Sequence, residues 1–508
     1  MGVTAASESM QERPSPHVRR RRIKLHRART VWGAIAMTTV CAFLPGSGFV
    51  VAGRRQLGLW VLLPHLLVAA VGLWWVATHT RDVLRLAVDP DRLLFAATVL
   101  LVLLLAWVVV LIATYRMLRP EEPPRWERML GGAWVVVLCL IVAAPLVVGA
   151  RYAMVQRDFI NSVFGDSRSA TRPAADAADP WGGDDRVNVL LLGGDGGVNR
   201  EGIRTDSVMV ASMNTGTGDT VLFSLPRNLQ EVPFPEGSPL AELYPDGFTG
   251  EGDPLEWMLN AVYRNVPAQH PGALGETDNE GADALKLAVS GALGLDVDYY
   301  MLVNLAGFEE VVDAIGGVMV NINDPIPIGG NSDLGIAPDD YLEPGPNQHL
   351  DGFEALWFAR GRYGYDDYHR MERQRCLINA VIDEAEPLNV LRRYEALIRA
   401  GEEIVRTDLP QDMLPAFVDL ALDVKNAKVR SVVFKSSEQF SPGDPDYDWM
   451  HETVQRAIGQ GPKRPGPGKG NGAGGNGPDG NGAGGNDTSD DVVQKPKDAC
   501  AYTADAQD

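Results

Sequence analysis

The run WFARGRYGYDDYHRMERQR, residues 357–375, holds five arginines: Arg360, Arg362, Arg370, Arg373 and Arg375. Guanidinium forks bind phosphate oxygens in bidentate pairs. Arg360 and Arg362 stand two apart, which puts both on one side of an extended chain. Asp367, Arg370 and Gln374 follow at i, i+3 and i+7, one face of a helix. A charged helix face paired by Asp366, Asp367 and Glu372 is the plainer account. The excess of arginine over nearby acid, in an acidic region, favours a phosphate site.

Two further stretches carry chemistry. LLLGGDGGVNREGIRTDSVMV sets Asp195 just after an apolar strand, with Arg204 and Asp206 at the mouth of the next. Sites in α/β sheets form at strand ends. Two carboxylates there suit Mg²⁺, a hard cation that takes oxygen ligands and keeps some waters and phosphate oxygens. From that stretch alone, a Gly-rich turn with solvated acids is the simpler reading. FSLPRN puts Arg227 directly after another strand, a weak signal by itself. There is no Ser-His-Asp order, zinc spacing or P-loop. His369 has no partner suggested by the sequence.

The elements that must position these groups can be read from hydrophobic pattern. RVNVLLLGG, DSVMVASMN, DTVLFSLP, YYMLVNL, GGVMVNIN and VRSVVFKS are β-branched apolar runs that predict strands. Between them, PLEWMLNAVYRN, ADALKLAVSGAL, GFEEVVDAIG, DGFEALWFAR and DYHRMERQRCLINAVIDEA have helical spacing, as do LNVLRRYEALIRAGEEIV and DMLPAFVDLALDV. Interleaving predicts an α/β domain over 186–458, with a central, mostly mixed sheet covered by helices on both faces. Residues 151–185 read as a stem linker. Residues 459–508, Gly/Asn-rich, are expected to be disordered.

Charge divides the chain. The 508 residues carry a formal charge of −20. Up to Arg157 there are 19 Lys/Arg against 8 Asp/Glu, about +11, leaving about −31 for the remainder. So acidic a domain is a poor partner for nucleic acid. The basic end is explained by apolar runs at 57–78, 93–113 and 130–150, each near the ~20 residues a spanning helix needs. A shorter run begins at Val31 and breaks at Pro45, Gly46 and Gly48, so 31–53 reads as a non-spanning hairpin. Three crossings keep the basic tail 1–30, Arg54 and Arg55 on one side with Arg116, Arg119, Arg125 and Arg128. The bias of Lys/Arg toward the cytoplasm then places the large domain outside, in a multi-pass plasma-membrane protein. Four crossings, with the domain inside, is the alternative.

In order along the chain, VNVLLLGGD, RTDSVMV, FSLPRN, LNAVY, YYMLVNLAGFEEVVDAIGGVMVNI, PGPNQHLDGFEALWFARGR and DDYHRMERQ resemble the LytR–CpsA–Psr family of wall glycopolymer transferases. The resemblance implies a membrane-anchored enzyme with an extracytoplasmic domain. Its reaction would move a glycopolymer from a polyprenyl diphosphate carrier onto peptidoglycan, forming a phosphodiester and releasing polyprenyl phosphate. It implies Mg²⁺, or Mn²⁺ in its place, at Asp195 and Asp206. It implies catalytic arginines at Arg204, Arg360 and Arg362 gripping the diphosphate, and Arg227, Asp367, Arg370 and Gln374 as further lipid-phosphate residues. Three features depart from the family pattern. Asn228 stands where Asp is usual, Met258 where Lys is usual, and the spacing from Arg362 to Asp367 is short. These departures motivate a second reading, a non-catalytic binder of lipid diphosphate or wall polymer, and a third, an envelope-linked regulator.

Four cysteines remain. Cys41 and Cys139 lie in apolar membrane segments and read as small buried residues. Cys376 and Cys500 fall in the part expected to be exported, where oxidation is allowed. The Gly/Asn-rich run between them gives Cys500 reach, so a disulfide is expected.

Overall fold

The computed structural model describes residues 28, 30–122, 124–165, 167–174, 178–195, 204–330, 335–361, 363–365, 367–384, 405–459, 493–494 and 500–502. The expected basic tail, Arg362, the helix over 387–404 and most of the Gly/Asn-rich tail lie outside these residues. The chain divides into two compact units, one of 1–79 and 97–151, the other of 80–96 and 152–508.

The first unit is helical. α1 (Val31–Ala42) is capped by Thr30, whose hydroxyl accepts from Gly33 N. At 12 residues it rises about 18 Å, short of a bilayer core. A turn through Gly46 (φ 95°) leads into α2 (Ser47–Val51). A Cβ on Gly46 would come within 2.8 Å of the Gly58 carbonyl. α3 (Arg55–Thr78), α5 (Pro90–Leu118) and α6 (Arg125–Val163) are the three described helices long and apolar enough to cross a membrane. Their side chains are largely exposed, Trp60 at 80% and Leu73 at 73%. So large an apolar surface requires a nonaqueous neighbour. α4 (Thr80–Ala87) and the start of α5 belong to the second unit.

In the second unit, seven strands form one mixed sheet in the order β11-β10-β3-β2-β1-β4-β9. These are β1 (Arg186–Asp195), β2 (Arg204–Asn214), β3 (Thr220–Leu225), β4 (Tyr299–Asn304), β9 (Val405–Thr407), β10 (Val429–Val433) and β11 (Val493–Gln494). β1 pairs antiparallel with β2 and parallel with β4, and β10 lies parallel to β3. β5 (Val318–Ile322) leaves this sheet and pairs with β8 (Gly345–Leu350), while β6 (Ile326–Ile328) pairs with β7 (Asp340–Leu342).

Helices cover both faces. Alternate residues Leu190, Leu192, Val208, Val210, Phe223 and Leu225 pack under α8 (Leu259–Gln269), α9 (Glu280–Leu293) and α14 (Tyr447–Ala457), beside the short α7 (Pro239–Leu243). On the opposite face, Val187, Val189 and Tyr299 pack with Leu414 and Leu420 of α13 (Leu414–Asn426). A separate cluster joins α10 (Leu305–Ile315), α11 (Gly352–Arg360) and α12 (Asp367–Glu384) to the β5–β8 ribbon.

The segment read as a stem linker is built differently. α6 continues to Val163. Arg168 N and Nη2 donate to the Asp278 carboxylate at 2.9 Å, and Ser169 and Thr171 hydroxyls donate to Asp283 at 2.6 and 2.7 Å. Asp408 in turn accepts from the buried Lys286 at 2.7 Å. Small polar residues here serve buried acids, which need those donors.

Candidate functional site

The sequence-predicted residues gather at the C-terminal ends of β1 and β3, the start of β2, and the α11–α12 turn. Asp195 ends β1 and pairs in the ladder with Arg204, the first residue of β2. Gly194 then pairs with Thr205 and Gly193 with Ser207, so Asp206 is the extra residue of a β-bulge. Bulges beside active sites are a known means of re-aiming a side chain. Next to it, Thr205 is fully buried and its Oγ1 has no hydrogen-bond partner among the described residues.

β3 ends at Leu225, and the buried Pro226 turns the chain into Arg227, which is half-buried. The Arg227 carbonyl accepts from Asn260 N at 3.0 Å, and Leu229 O accepts from Leu259 N at 2.9 Å. The first turn of α8 thereby fixes the arginine's turn, meeting two of the helix's orphan N–H groups. Met258 is the N-cap of this helix and makes no side-chain cap bond. Asn228 is exposed. Asn260 Oδ1 and the Oγ of Ser224, both buried, have no hydrogen-bond partner among the described residues either.

Arg360 closes α11, as the helical spacing of DGFEALWFAR predicts, so it does not stand in extended chain. A capping box at Asp351 and Glu354 starts this helix and decides the matter upstream. The Arg360 guanidinium lies 5.5 Å from the Trp357 ring centroid, a cation–π distance. Gly361 follows because nothing larger fits: a Cβ there would sit 2.6 Å from the Pro327 carbonyl.

α12 returns over this turn. Arg373 Nε donates to Phe358 O at 2.8 Å and Nη2 to Gly361 O, while its guanidinium faces the Tyr365 ring at 5.8 Å. Gln374 Nε2 donates to Ala359 O at 3.3 Å. The two side chains satisfy the orphan carbonyls at the end of α11. Gln374, expected at the lipid phosphate, is thus anchored on backbone. Arg373, which the sequence reading left without a role, holds the turn carrying Arg360; its RQ context offered no signal for that. Asp367 begins α12, and Arg370, one turn on, is 4% exposed. Arg362 lies outside the described residues. The Cys376 and Cys500 sulfurs are joined as a disulfide, with Cα atoms 5.2 Å apart. Asn321 Nδ2 donates to the Cys500 carbonyl at 2.8 Å.

Asp195 and Asp206 are of the residue type that a hard divalent cation takes, and their backbones stand on paired strands next to the buried Thr205. Among the described residues no group of three or more His, Cys, Asp and Glu is placed to hold a metal ion. The cleft of about 950 Å³ lined by Asp89, Arg92, Arg172 and Asp412 lies near the opposite strand ends and includes none of these residues.

The chain thus combines a mixed α/β sheet, with arginines and acids at its strand ends, and three helices long and apolar enough to cross a membrane. The family model described as the LytR_cpsA_psr family matches residues 162–458, and the chain belongs to this family. It is similar to the polyisoprenyl-teichoic acid–peptidoglycan teichoic acid transferase TagU of Bacillus cereus, 30% identical over 261 residues, covering 51% of this chain and 69% of that protein. The Enterococcus faecalis protein of the same name is 31% identical over 245 residues, 47% of this chain and 66% of that protein. Among solved structures, protein gbs0355 of Streptococcus agalactiae is 23% identical, covering 54% of this chain and 88% of that one, with a TM-score of 0.40. The chain is thus a transferase of LytR–CpsA–Psr type.

Proposed function

We propose that this protein moves a glycopolymer from a polyprenyl diphosphate carrier onto peptidoglycan at the outer face of the plasma membrane. The observation that supports the reading is that Asp195 ends β1, Arg204 and Asp206 open β2 and Arg227 follows β3, all at one end of the sheet. In the proposed step an acceptor hydroxyl attacks the phosphorus bearing the glycopolymer. A new O–P bond forms, the bridging P–O bond of the diphosphate breaks, the hydroxyl proton passes to solvent, and polyprenyl phosphate leaves. Charge grows on the leaving oxygen. Arg360 and Arg362 would oppose it with their guanidinium groups, and Arg227 and Arg370 would hold the phosphates in line. Asp195 and Asp206 would hold Mg²⁺, or Mn²⁺ in its place, which when bound supplies further neutralisation of phosphate oxygens.

The outward domain rests on the Lys/Arg bias of the loops. Arg85 and Arg81 of α4 pair with Asp419 and Asp423 of α13 at 2.6 and 2.7 Å. The loop between the first two apolar helices would then share a side of the membrane with the large domain, which three crossings and four crossings both require. The test is the full-length protein in detergent with labelled polyprenyl diphosphate-linked polymer, peptidoglycan and Mg²⁺. Release of polyprenyl monophosphate supports the enzyme. Saturable binding without release supports the alternative, a receptor for lipid diphosphate, which the exposed Asn228 and uncapped Met258 favour.

A further inference from the structure

Arg375 is 2% exposed. Its Nη1 donates to Ser431 Oγ on β10 at 2.8 Å. Its Nε and Nη2 have no hydrogen-bond partner among the described residues. Glu372 lies 3.9 Å from Nη2, outside hydrogen-bond range, with its own side chain 42% exposed. Burial pushes the guanidinium's pKa down, Glu372 only partly opposing it. A buried cation whose one counter-charge stands at 3.9 Å on a partly exposed side chain still has a donor edge unmet, and burying unmet donors is unfavourable. Nε and Nη2 form one edge of the guanidinium, the edge that grips two oxygens of one anion.

The surroundings are suited to a ligand. Tyr368 bonds Ser436 at 2.9 Å and, two helical turns on, Arg375 bonds Ser431, so α12 runs along β10 over one face of the sheet. On that face Leu191, Leu222 and Met301 remain half-buried, whereas their neighbours on the α8–α9 side are almost all buried. Ser224 lies opposite Val433 in register, hence on the same face as Ser431, and its buried Oγ is also unpartnered. Partly open apolar surface beside unpartnered donors suits an amphiphile with an anionic head.

We propose that Arg375, with Ser431 beneath it and Ser224 alongside, is an interior anion subsite that takes the phosphoryl oxygens of the carrier lipid, separate from the Arg360–Arg362 turn. This rests on the function proposed above and names the group that receives the leaving polyprenyl phosphate. The bland alternative is a pin holding α12 to β10.

Binding to the full-length protein in detergent separates the two. The probes are geranylgeranyl monophosphate, geranylgeraniol and inorganic phosphate. The parent should prefer the monophosphate to the alcohol. Arg375→Met should lose that preference by at least about tenfold while alcohol binding and melting temperature hold, as expected when a charge-assisted pair is removed. Arg375→Lys keeps the charge but not the fork and should lose a similar factor; it serves if Arg375→Met does not fold. A variant that keeps the parental preference overturns the subsite and leaves the pin. Arg375-dependent binding of inorganic phosphate as tight as that of the lipid phosphate overturns the lipid assignment. Turnover by the parent with an unchanged preference in Arg375→Met rejects this subsite alone; absence of both turnover and diphosphate binding in the parent rejects the function and the subsite together.

Discussion

Arg373 donates its Nε to the carbonyl oxygen of Phe358 at 2.8 Å, across the turn between α11 and α12. That bond, with the one from Gln374 to Ala359, holds the segment bearing Arg360 from beneath. Arg373→Met should therefore slow transfer without unfolding the domain. Misplacing a reacting group by about 1 Å can cost ~10²-fold. The expected result is turnover down by about that factor with melting temperature within a few degrees of the parent. Parental turnover in a folded Arg373→Met protein would show that the turn holds without it.

Arg85 reaches Asp419 with Nε and Nη2, at 2.9 and 2.6 Å. The pair is partly exposed, at 42% and 24%, so about 1 kcal/mol is the scale. Arg85→Asp should lower the melting temperature by about 2–4 °C, and adding Asp419→Arg should restore it. Reporter fusions after Thr80 and after Asp185 should both read outside. A cytoplasmic reading at Asp185 would sink the proposed function, because the carrier's diphosphate would then face the wrong side.

Asp206 occupies a bulge opposite the end of β1. If it and Asp195 hold the metal, Asp206→Ala should raise the Mg²⁺ concentration needed for half-maximal turnover by tenfold or more, and chelation should stop the parent. An unchanged Mg²⁺ titration in Asp206→Ala would move the metal elsewhere.

Much of this was legible in the sequence, for a physical reason. β1, β2, β3 and β10 lie inside the sheet, covered on both faces, so they read as continuous apolar runs. β8, GPNQHL, is mostly half-buried or exposed and carries no such pattern. Asp195, Asp206 and Arg227 could be placed at strand ends because strand ends follow from strand extents. The bulge at Asp206 could not, since register belongs to both strands. The helix that ends at Arg360 could be read from the spacing of DGFEALWFAR and from the capping-box residues Asp351 and Glu354 at its start. Arg375–Ser431 spans 56 positions, and no local pattern reports such a contact. The same holds for Asp283, which orders a segment that reads as linker.

Asp298 gives a pH dependence. Burial raises its carboxyl from 3.8 to about 6, although Asn188 N donates to it at 2.7 Å and Lys286 lies near, with Asp184 and Asp296 adding to the rise. The folded state thus holds this proton more tightly than the unfolded chain. Its stabilising contribution is complete below about pH 3.8 and is lost as pH rises through about 6. The shift corresponds to roughly 3 kcal/mol at most. Asp298→Asn keeps an acceptor for Asn188 N and removes the titration. Its melting temperature relative to the parent should rise between pH 4 and 7, and a constant difference over that range would count against the assignment.

The last prediction concerns the Cys376–Cys500 bond. Cys376 is 5% exposed on α12, two residues beyond Gln374, and the partly buried Cys500 packs against the same apolar cluster. Asn321 and Asn323 donate to the carbonyls of Cys500 and Ala501 at 2.8 and 3.1 Å, so backbone contacts hold the chain end independently of the sulfurs. The loop closed by the bond has a sequence separation of 124. In the chain-entropy account a loop of that length contributes up to ~4–5 kcal/mol by restricting the unfolded chain. Reduction should therefore lower the melting temperature of the whole protein by several degrees. It should act on α12, and so on Arg370 and Gln374, before it acts on the sheet, whose core is a separate cluster. Alkylating the unreduced protein under denaturing conditions and weighing it intact decides the pairing. Cys41 and Cys139 are free and should each take a label, so two labels are expected before reduction and four after. Four labels before reduction would mean that the bond does not form, and the tail would then be held by Asn321, Asn323 and the pairing of β11 with β10.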